Sequence, residues 1–367
     1  MRVLKVSFNP SGLKLSMQGP KGRERLEITG GYPDTPLSRG VFSQLGLMHL
    51  IAPYLPRKVQ ADFSLTKEIK DLIGAMYKSE SQSPPKFQTP KDSSDFSGPK
   101  TNSNKVTVAY SAGKDSMWNM WWTQEEYEHD NVLGVHINGL NRNNACRERE
   151  YTERQIRECR FKNFQIIDLT NSSRNTGYGT MRSRDMFLAG LIVPAALEFG
   201  ASKIITEGFA EEKTTEPFSG QAKNMRYFNK VLHKLGIPVQ VAWRDKKEME
   251  IIKDLLENKP DWLPHVYNCF SAPCYQPFLK RSWEKRTPTF PLYDSQCGSC
   301  VKCRITNLAR ILYDPKMENV KREDIQAYLE NTAKWIQGRK VELADMIEGS
   351  FLRDFKIAAK KYGVNHG

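Results

Sequence analysis

The stretch KVTVAYSAGKDS, residues 105–116, decides the fold. Its first half, Lys105 to Tyr110, is a short β-branched run of the kind that forms a buried strand. Its second half, Tyr110-Ser111-Ala112-Gly113-Lys114-Asp115-Ser116, is small and polar, and residues 116–129 beyond it have a helical pattern. A strand, a tight turn and a helix start can bring successive backbone N–H groups onto one anion. The helix N-terminus adds unsatisfied donors and partial positive charge. Gly113 has no Cβ, so a phosphate can approach the backbone there. Ser111 and Ser116 carry hydroxyl donors, Lys114 a point charge, and Asp115 a carboxylate suited to Mg²⁺. The Walker A pattern GxxxxGK[ST] is absent.

Outward from this stretch, strands alternate with helices. VLGVHI (132–137), FQIIDL (164–169), KIITEG (203–208) and PVQVAW (238–243) read as strands. Residues 146–160, 184–199 (despite Pro194), 220–235 and 245–257 read as helices. Such alternation predicts an α/β fold with a doubly wound parallel sheet. Residues 1–77 read as a small α/β accessory domain. There VLKVSF and LKLSM form a hairpin around Asn9-Pro10-Ser11-Gly12, RLEITG adds a strand, residues 41–54 a helix, VQADFSL a strand and KEIKDLIGAMY an amphipathic helix. That segment has no recognisable chemistry, so a scaffold or partner-docking role is expected. Residues 78–104 are rich in Ser and Pro and poor in large apolar residues, which predicts a flexible linker. Residues 105–260 then form a nucleotide-binding domain, 261–312 a cysteine-bearing segment, and 313–367 a helical tail with breaks near Asp314-Pro315 and Gly338.

Composition bounds the function. A chain of 367 residues allows two or three domains, and 39% hydrophobic with 26% charged residues supports a sizeable core rather than disorder. No apolar run approaches the roughly 18 residues a membrane span needs, so no membrane partner is expected. Lys5 and polar residues stand where a signal peptide would be continuously apolar, which predicts a soluble, cytoplasmic chain. The net charge of +13 favours polyanions such as nucleotides, RNA or DNA, or an acidic protein. Because the charge is scattered, a basic solvated surface accounts for it equally well.

Seven cysteines occur, at 146, 159, 269, 274, 297, 300 and 303, and five of them fall within residues 269–303. An odd, clustered set suggests metal binding rather than a disulfide framework. Cys297, Cys300 and Cys303 form CxxCxxC, whose thiolates can turn inward from one loop with Gly298 relieving the bend. A closed tetrahedral Zn²⁺ site needs a fourth ligand, for which Cys269 and Cys274 are the candidates. An iron–sulfur cluster and a catalytic thiol are the other readings. Cys146 and Cys159 are isolated and read as packing or surface residues.

The turn at 111–116 resembles the SGGxDS signature of the PP-loop ATP pyrophosphatase superfamily, with Ala112 in place of the first Gly. The resemblance implies that ATP is cut between its α- and β-phosphates, that a substrate oxygen is adenylated, and that a nucleophile displaces AMP. It implies Ser111, Lys114, Asp115 and Ser116 as catalytic residues. Tyr110 to Ser116, with His136, Arg184 and Gly208, would hold the nucleotide.

A PP-loop with C…CGxCxxC far downstream looks like the 7-cyano-7-deazaguanine synthase family of the queuosine pathway. Over roughly residues 105–312, RDMFL (184–188) matches the family's RN-x-x-FL with Asp185 for Asn, KIITEG (203–208) its strand ending in Gly, and KEMEII (247–252) its KxEII-like helix. VYNCF (266–270) puts Cys269 at the family's SCY or SCF position, which favours Cys269 as the fourth zinc ligand; Cys297-Gly298-Ser299-Cys300 and Cys303-Arg304 complete the pattern.

The resemblance implies ATP, Mg²⁺ and structural Zn²⁺ as cofactors and a 7-carboxy-7-deazaguanine substrate. Its carboxylate would become an acyl adenylate, ammonia would give an amide, and a second activation would give the nitrile. Residues 1–104 and the tail after about 312 are additions, and TTEPFSGQ (214–221) differs from the family's acidic segment. Enlarged relatives occur in bacterial defence operons. By that resemblance a protein amine can replace ammonia, with the N-terminal domain docking the acceptor protein; a homodimer is also expected. A tRNA-modifying PP-loop enzyme, thiolating or amidating, and a non-catalytic assembly subunit are the competing functions.

Other residues have plainer readings beside functional ones. Trp118, Trp121 and Trp122 fit helix packing better than base stacking. Arg182 and Arg184 are phosphate or carboxylate ligands, or a solvated helix start. Glu207 can reach a guanidine-like edge or cap a loop, and His136 and His233 lack ligand-like partners in sequence, so His136 is also read as structural. Lys356–Lys361 reads as a solvated helix face.

Overall fold

The computed structural model describes residues 3–365 apart from 20–21, 92–95, 97–100, 141–144, 173–177, 210, 212–215, 268, 270–275, 288 and 339–348. In chain order its elements are β1 (Val3–Asn9), β2 (Lys14–Gly19), β3 (Gly22–Gly30), α1 (Pro36–Ile51), β4 (Lys58–Ala61), α2 (Lys67–Lys78) and β5 (Lys86–Gln88). Then come β6 (Asn102–Tyr110), α3 (Lys114–Tyr127), β7 (Val132–Asn138), α4 (Ala145–Glu158), β8 (Asn163–Asn171), α5 (Tyr178–Phe199), β9 (Ala201–Thr206), α6 (Ala222–Lys234) and β10 (Gln240–Trp243). Helices α7 (Glu248–Asn258), α8 (Gln276–Glu284), α9 (Val301–Tyr313), α10 (Arg322–Gln337) and α11 (Gly349–Tyr362) complete the chain. No helix among the described residues is long and apolar enough to cross a membrane.

The chain divides into two compact units, one of Met1–Ser111, Asn119–Cys146 and Phe161–Asp245, the other of Ala112–Trp118, Arg147–Arg160 and Lys246–Gly367. The first unit holds a ten-stranded sheet of order β10-β9-β6-β7-β8-β3-β2-β1-β4-β5. The run from β10 to β8 is parallel, with Trp243 opposite Thr206, Val108 opposite Ile205 and Tyr110 opposite His136. Its centre reads as continuous apolar sequence because both faces are covered: Val106, Val108, Val132 and Val135 are all buried. From β6 the chain adds β7 and β8 on one side, then returns to add β9 and β10 on the other. That reversal is the topological switch point at which open α/β sheets bind ligands, beyond the carboxyl ends of their strands.

The parallel sheet expected over residues 105–260 is present as the run from β10 to β8, but it does not end at β8. β3 pairs antiparallel with β8, β2 with β3 and β1 with β2, so the sheet is mixed. The N-terminal segment therefore continues the same sheet and shares the first unit's core, where an accessory domain was expected. In β1 alternate residues are buried, placing Leu4 and Val6 on the covered face. α1 is apolar nearly all round and buried from Val41 to Ile51. It packs against α5 where Gly190 leaves room: a Cβ there would lie 2.1 Å from Leu45 Cδ1. Pro194 lies inside α5 without ending it. The expected linker also differs where it is described. Lys86–Gln88 pairs with β4, Phe96 is buried beside Gly40, and β6 begins at Asn102. A short strand and one aromatic anchor leave no trace in bulk composition.

In the second unit Trp283 and Tyr328 are buried, and Phe290 stacks on Tyr328 at 4.2 Å. Arg304 lies between the rings of Trp283 and Trp335, 5.8 and 5.0 Å from their centroids.

Candidate active site and metal centre

The turn after β6 is built as an N-cap. Gly113 O accepts from Met117 N at 3.0 Å and from Ser116 Oγ at 3.0 Å, so Lys114, Asp115 and Ser116 form the first turn of α3. Amides at those positions have no intrahelical acceptor and face outward along the helix axis. Ala112 is buried with φ of 61°, a left-handed conformation that favours glycine. Its carbonyl accepts from Tyr267 N at 2.9 Å and Gln155 Nε2 at 3.0 Å. Ser111, just before it, is exposed.

Lys114 is fully buried, with Nζ 2.7 Å from Asp115 Oδ2 and 3.4 Å from Glu248 Oε1. Lys302 pairs with the same Glu248 oxygen. Lys114, Lys302, Asp115 and Glu248 are thus linked in one charge network. Burial alone would raise the Asp115 carboxyl, but Lys114 and then Lys302 outweigh it and hold it below the usual carboxylate range. The sequence reading gave Lys114 to phosphate and Asp115 to Mg²⁺. Here each is the other's partner.

Tyr110, Ser111, His136, Arg184 and Gly208 belong to the first unit, and Ala112 to Ser116 with the four clustered cysteines to the second. His136 is buried and donates from Nδ1 to Tyr110 O at 2.9 Å, a bond that ties β7 to β6 at their carboxyl ends. Arg184 donates to Asp185 Oδ1 at 2.7 Å. Burial works against its charge, but Asp185, Glu207 and Glu216 overcome this and raise its pKa. Asp185 also accepts from Ser219 Oγ at 3.2 Å. Glu207 is exposed just beyond β9. At Gly208 a Cβ would lie 2.5 Å from Asp245 Oδ1, so a larger residue there displaces that carboxylate.

Arg182 is not a solvated helix start. It is buried against Glu80 at 2.8 Å, donates to Ala52 O and Gln82 Oε1, and lies over the Tyr77 ring. Trp118 is a packing residue, donating to Asp254 Oδ2 at 2.9 Å; Trp121 is buried and Trp122 exposed. His233 is on the surface.

The four thiols of Cys269, Cys297, Cys300 and Cys303 lie within 4.8 Å of one another, with Sγ pairs 269–300 and 297–303 both at 3.9 Å. Zn–S bonds of about 2.3 Å in a tetrahedron put sulfurs roughly 3.8 Å apart, so the set fits a closed Zn²⁺ site with slight contraction. Ser299 N and Cys300 N each point at Cys297 Sγ from 3.4 Å. Gly298 has φ of 74°, and its Cβ would sit 3.1 Å from the Trp283 ring. Cys303 falls in the first turn of α9, where the helix field favours a thiolate. The thiols resist joint ionisation. Its bond to Cys297 opposes ionisation of Cys269, but those to Cys300 and Cys303 bring it down to about 7, while hydrogen bonds to Cys269 and then Cys297 push Cys300 and Cys303 up. A dication is what lets all four ionise together. Cys274 and residues 214–215 of the TTEPFSGQ segment lie outside the described residues, as does the Cys146 side chain. Cys159 is buried, which with Glu158 pushes its thiol up to about 12, so it is a packing residue.

No family model matches the chain, and no curated protein does. The site therefore has to be read from its own geometry. Three residues in it escaped the sequence reading as site residues. Glu248, within the KEMEII helix, and Lys302, inside CxxCxxC, join the charge network. Gln155 carried no signal at all, since a polar residue on a charged helix looks solvated; its complete burial is visible only in three dimensions.

Proposed function

We propose that the chain is an ATP-dependent ligase of the PP-loop kind, resembling 7-cyano-7-deazaguanine synthase. It activates the carboxylate of a 7-deazaguanine-type base and joins it to an amine. The observation that carries this reading is the turn Ser111–Ser116, which opens α3 directly after β6, the strand where the sheet order reverses. Helix-start amides at a switch point suit a polyphosphate.

In the proposed reaction a carboxylate oxygen attacks the α-phosphorus of ATP, the bond to the bridging oxygen of the β-phosphate breaks, and pyrophosphate leaves. An amine nitrogen then attacks the acyl carbon, AMP leaves with the bonding pair, and the nitrogen gives up a proton to solvent. AMP is a far better leaving group than oxide, so the protein has mainly to position and to neutralise. Mg²⁺ supplies charge neutralisation on the polyphosphate when bound, and Asp115 is the carboxylate placed to hold it. Ser111 donates a hydroxyl hydrogen bond, Ser116 does so by giving up its bond to Gly113 O, and Lys114 exchanges a carboxylate partner for phosphate. The cysteine set holds Zn²⁺ as a structural ion. Ammonia gives an amide and, with a second activation, a nitrile; a protein amine gives an amide conjugate. The net charge of +13 favours tRNA as an alternative substrate.

The test is zinc-loaded protein with Mg-ATP, 7-carboxy-7-deazaguanine and ammonium, or a candidate acceptor protein, with AMP and pyrophosphate quantified and the product weighed. Substrate-dependent AMP is expected, and Asp115→Asn lowers it by at least about 100-fold, in line with loss of an electrostatic catalytic group. No AMP above the ATP-only rate rejects the reading. AMP formed only with tRNA, bound with a steep salt dependence, transfers it to the tRNA-modifying class.

A further inference from the structure

The carbonyl of Ala112 is the point where the phosphate turn is held, and both of its donors lead to the metal centre. Tyr267 N, at 2.9 Å, belongs to the segment that ends two residues later in the ligand Cys269. Gln155 Nε2, at 3.0 Å, also donates to His265 O at 2.7 Å in that same segment. A third bond, from Ser295 Oγ to Val266 O at 2.6 Å, joins the segment to the strand of chain that enters the metal loop at Cys297. Tyr151 stacks on Tyr267 with ring centroids 5.0 Å apart and closes the segment against α4. Gln155 is completely buried.

We propose that the metal centre and the phosphate turn are one coupled device, with Gln155 as the positioning residue that links them. An alanine does not rest at a φ of 61° without restraint. The restraint here is a carbonyl gripped by two donors, one on the metal-bearing segment and one that grips that segment as well. When four thiolates fix Cys269, residues 265–267 are fixed, and Ala112 is held in the conformation that aims the next three amides along the axis of α3. When Cys269 is released, one donor loses its anchor and the turn relaxes. Linkage then works both ways, since a ligand that selects the ordered turn must tighten the hold on the metal by the same factor.

The inference rests on the ATP reading above, and its test separates the two. The full-length, zinc-loaded protein is equilibrated with a zinc-selective chromophoric chelator, with and without saturating Mg-ATP, and Mg-ATP binding to the same zinc-loaded protein is measured by calorimetry. Wild type is expected to hold zinc about tenfold more tightly with Mg-ATP, an ordinary coupling between sites. In Gln155→Met the zinc affinity without nucleotide stays within about threefold of wild type, the near-ultraviolet dichroism is retained, and the nucleotide effect falls below about twofold. A merely structural side chain would change stability and leave that ratio intact. Should Gln155→Met not fold, Gln155→Asn keeps the amide but shortens its reach, and the same drop in coupling is expected. Mg-ATP binding with no effect on zinc retention in wild type overturns the coupling and leaves the ATP reading standing. So does equal coupling in wild type and a folded variant. Failure of the zinc-loaded protein to bind Mg-ATP overturns both.

Discussion

Replacing Arg182 with methionine tests which part of the molecule that side chain serves. It is 4% exposed, ion-pairs Glu80 at 2.8 Å, donates to Ala52 O at 2.6 Å and Gln82 Oε1 at 2.7 Å, and lies 5.1 Å from the centre of the Tyr77 ring. Methionine keeps the apolar stem and removes every donor. Loss of the donor to Ala52 O costs about 1–3 kcal/mol, and loss of the cation over the ring about 1 kcal/mol. Breaking a buried ion pair costs about 3–5 kcal/mol. Part of the Glu80 side chain is exposed, 26%, but its paired Oε1 is buried, so a cost of about 3 kcal/mol applies. These losses overlap, and the desolvation of the guanidinium itself is relieved, so we expect a net destabilisation of about 3 kcal/mol. Urea unfolding of the full chain should show a lower midpoint at unchanged slope. Mg-ATP binding, measured where both proteins are folded, should match wild type, and Glu80→Gln should couple with Arg182→Met by about 1–2 kcal/mol in a double-mutant cycle. A variant within about 0.5 kcal/mol of wild type that no longer binds nucleotide would refute this and return Arg182 to phosphate.

Two further outcomes follow from the same geometry. Burial pushes the Glu148 carboxyl from its ordinary 4.5 up to about 7. The folded chain therefore keeps a proton that the unfolded chain has lost, and stability falls as pH rises from about 4.5 to about 7 and is level above that. The full shift is worth about 3 kcal/mol, and partial exposure of the side chain reduces it to about 2 kcal/mol. Glu148→Gln should be more stable than wild type by that amount near pH 8 and equal to it near pH 4, and a difference that does not change with pH contradicts the assignment. Gly298→Ala, at φ of 74° with its Cβ 3.0 Å from Leu292 Cδ1, should strain the metal knuckle by about 1–2 kcal/mol. Chelator competition should then show zinc held about tenfold more weakly, and unchanged zinc affinity would mean the knuckle is not a ligand loop.

What the sequence made legible is what local physics specifies. The five strands from β6 to β10 and the helices between them follow from short β-branched runs and helical periodicity, and the Asn9-Pro10-Ser11-Gly12 turn follows from turn chemistry. CxxCxxC marked three of the four clustered cysteines because close spacing alone brings them together. The fourth, Cys269, had Cys274 as a rival and needed a resemblance to be preferred. The pairing of β3 with β8 was not legible, because Leu26 and Asn171 meet across a long sequence separation that no local pattern encodes. The charge balance of Lys114 was not legible for a similar reason, because Glu248 reaches it from α7 across a long sequence separation.

The sheet extension changes what the added N-terminal residues can be for. Without them β8 would be an open edge, a row of unpaired backbone groups inviting another chain. β3 fills that edge antiparallel, and β2, β1, β4 and β5 carry the sheet on to a three-residue strand, a short termination of the kind that resists further pairing. α1 buries Leu45 against Gly190 of α5, and the ring of His49 stacks 4.6 Å from that of Phe187 on the same helix. Burial lowers the His49 imidazole to about 4, so it stays neutral there and can donate or accept toward Ser183. Arg184 and Asp185 begin the next turn of that helix. A segment that supplies the packing partner of the helix bearing these two residues is part of the scaffold of the first unit. Any acceptor it docks must therefore use the solvated face of the sheet extension, because the opposite face is spent on the core.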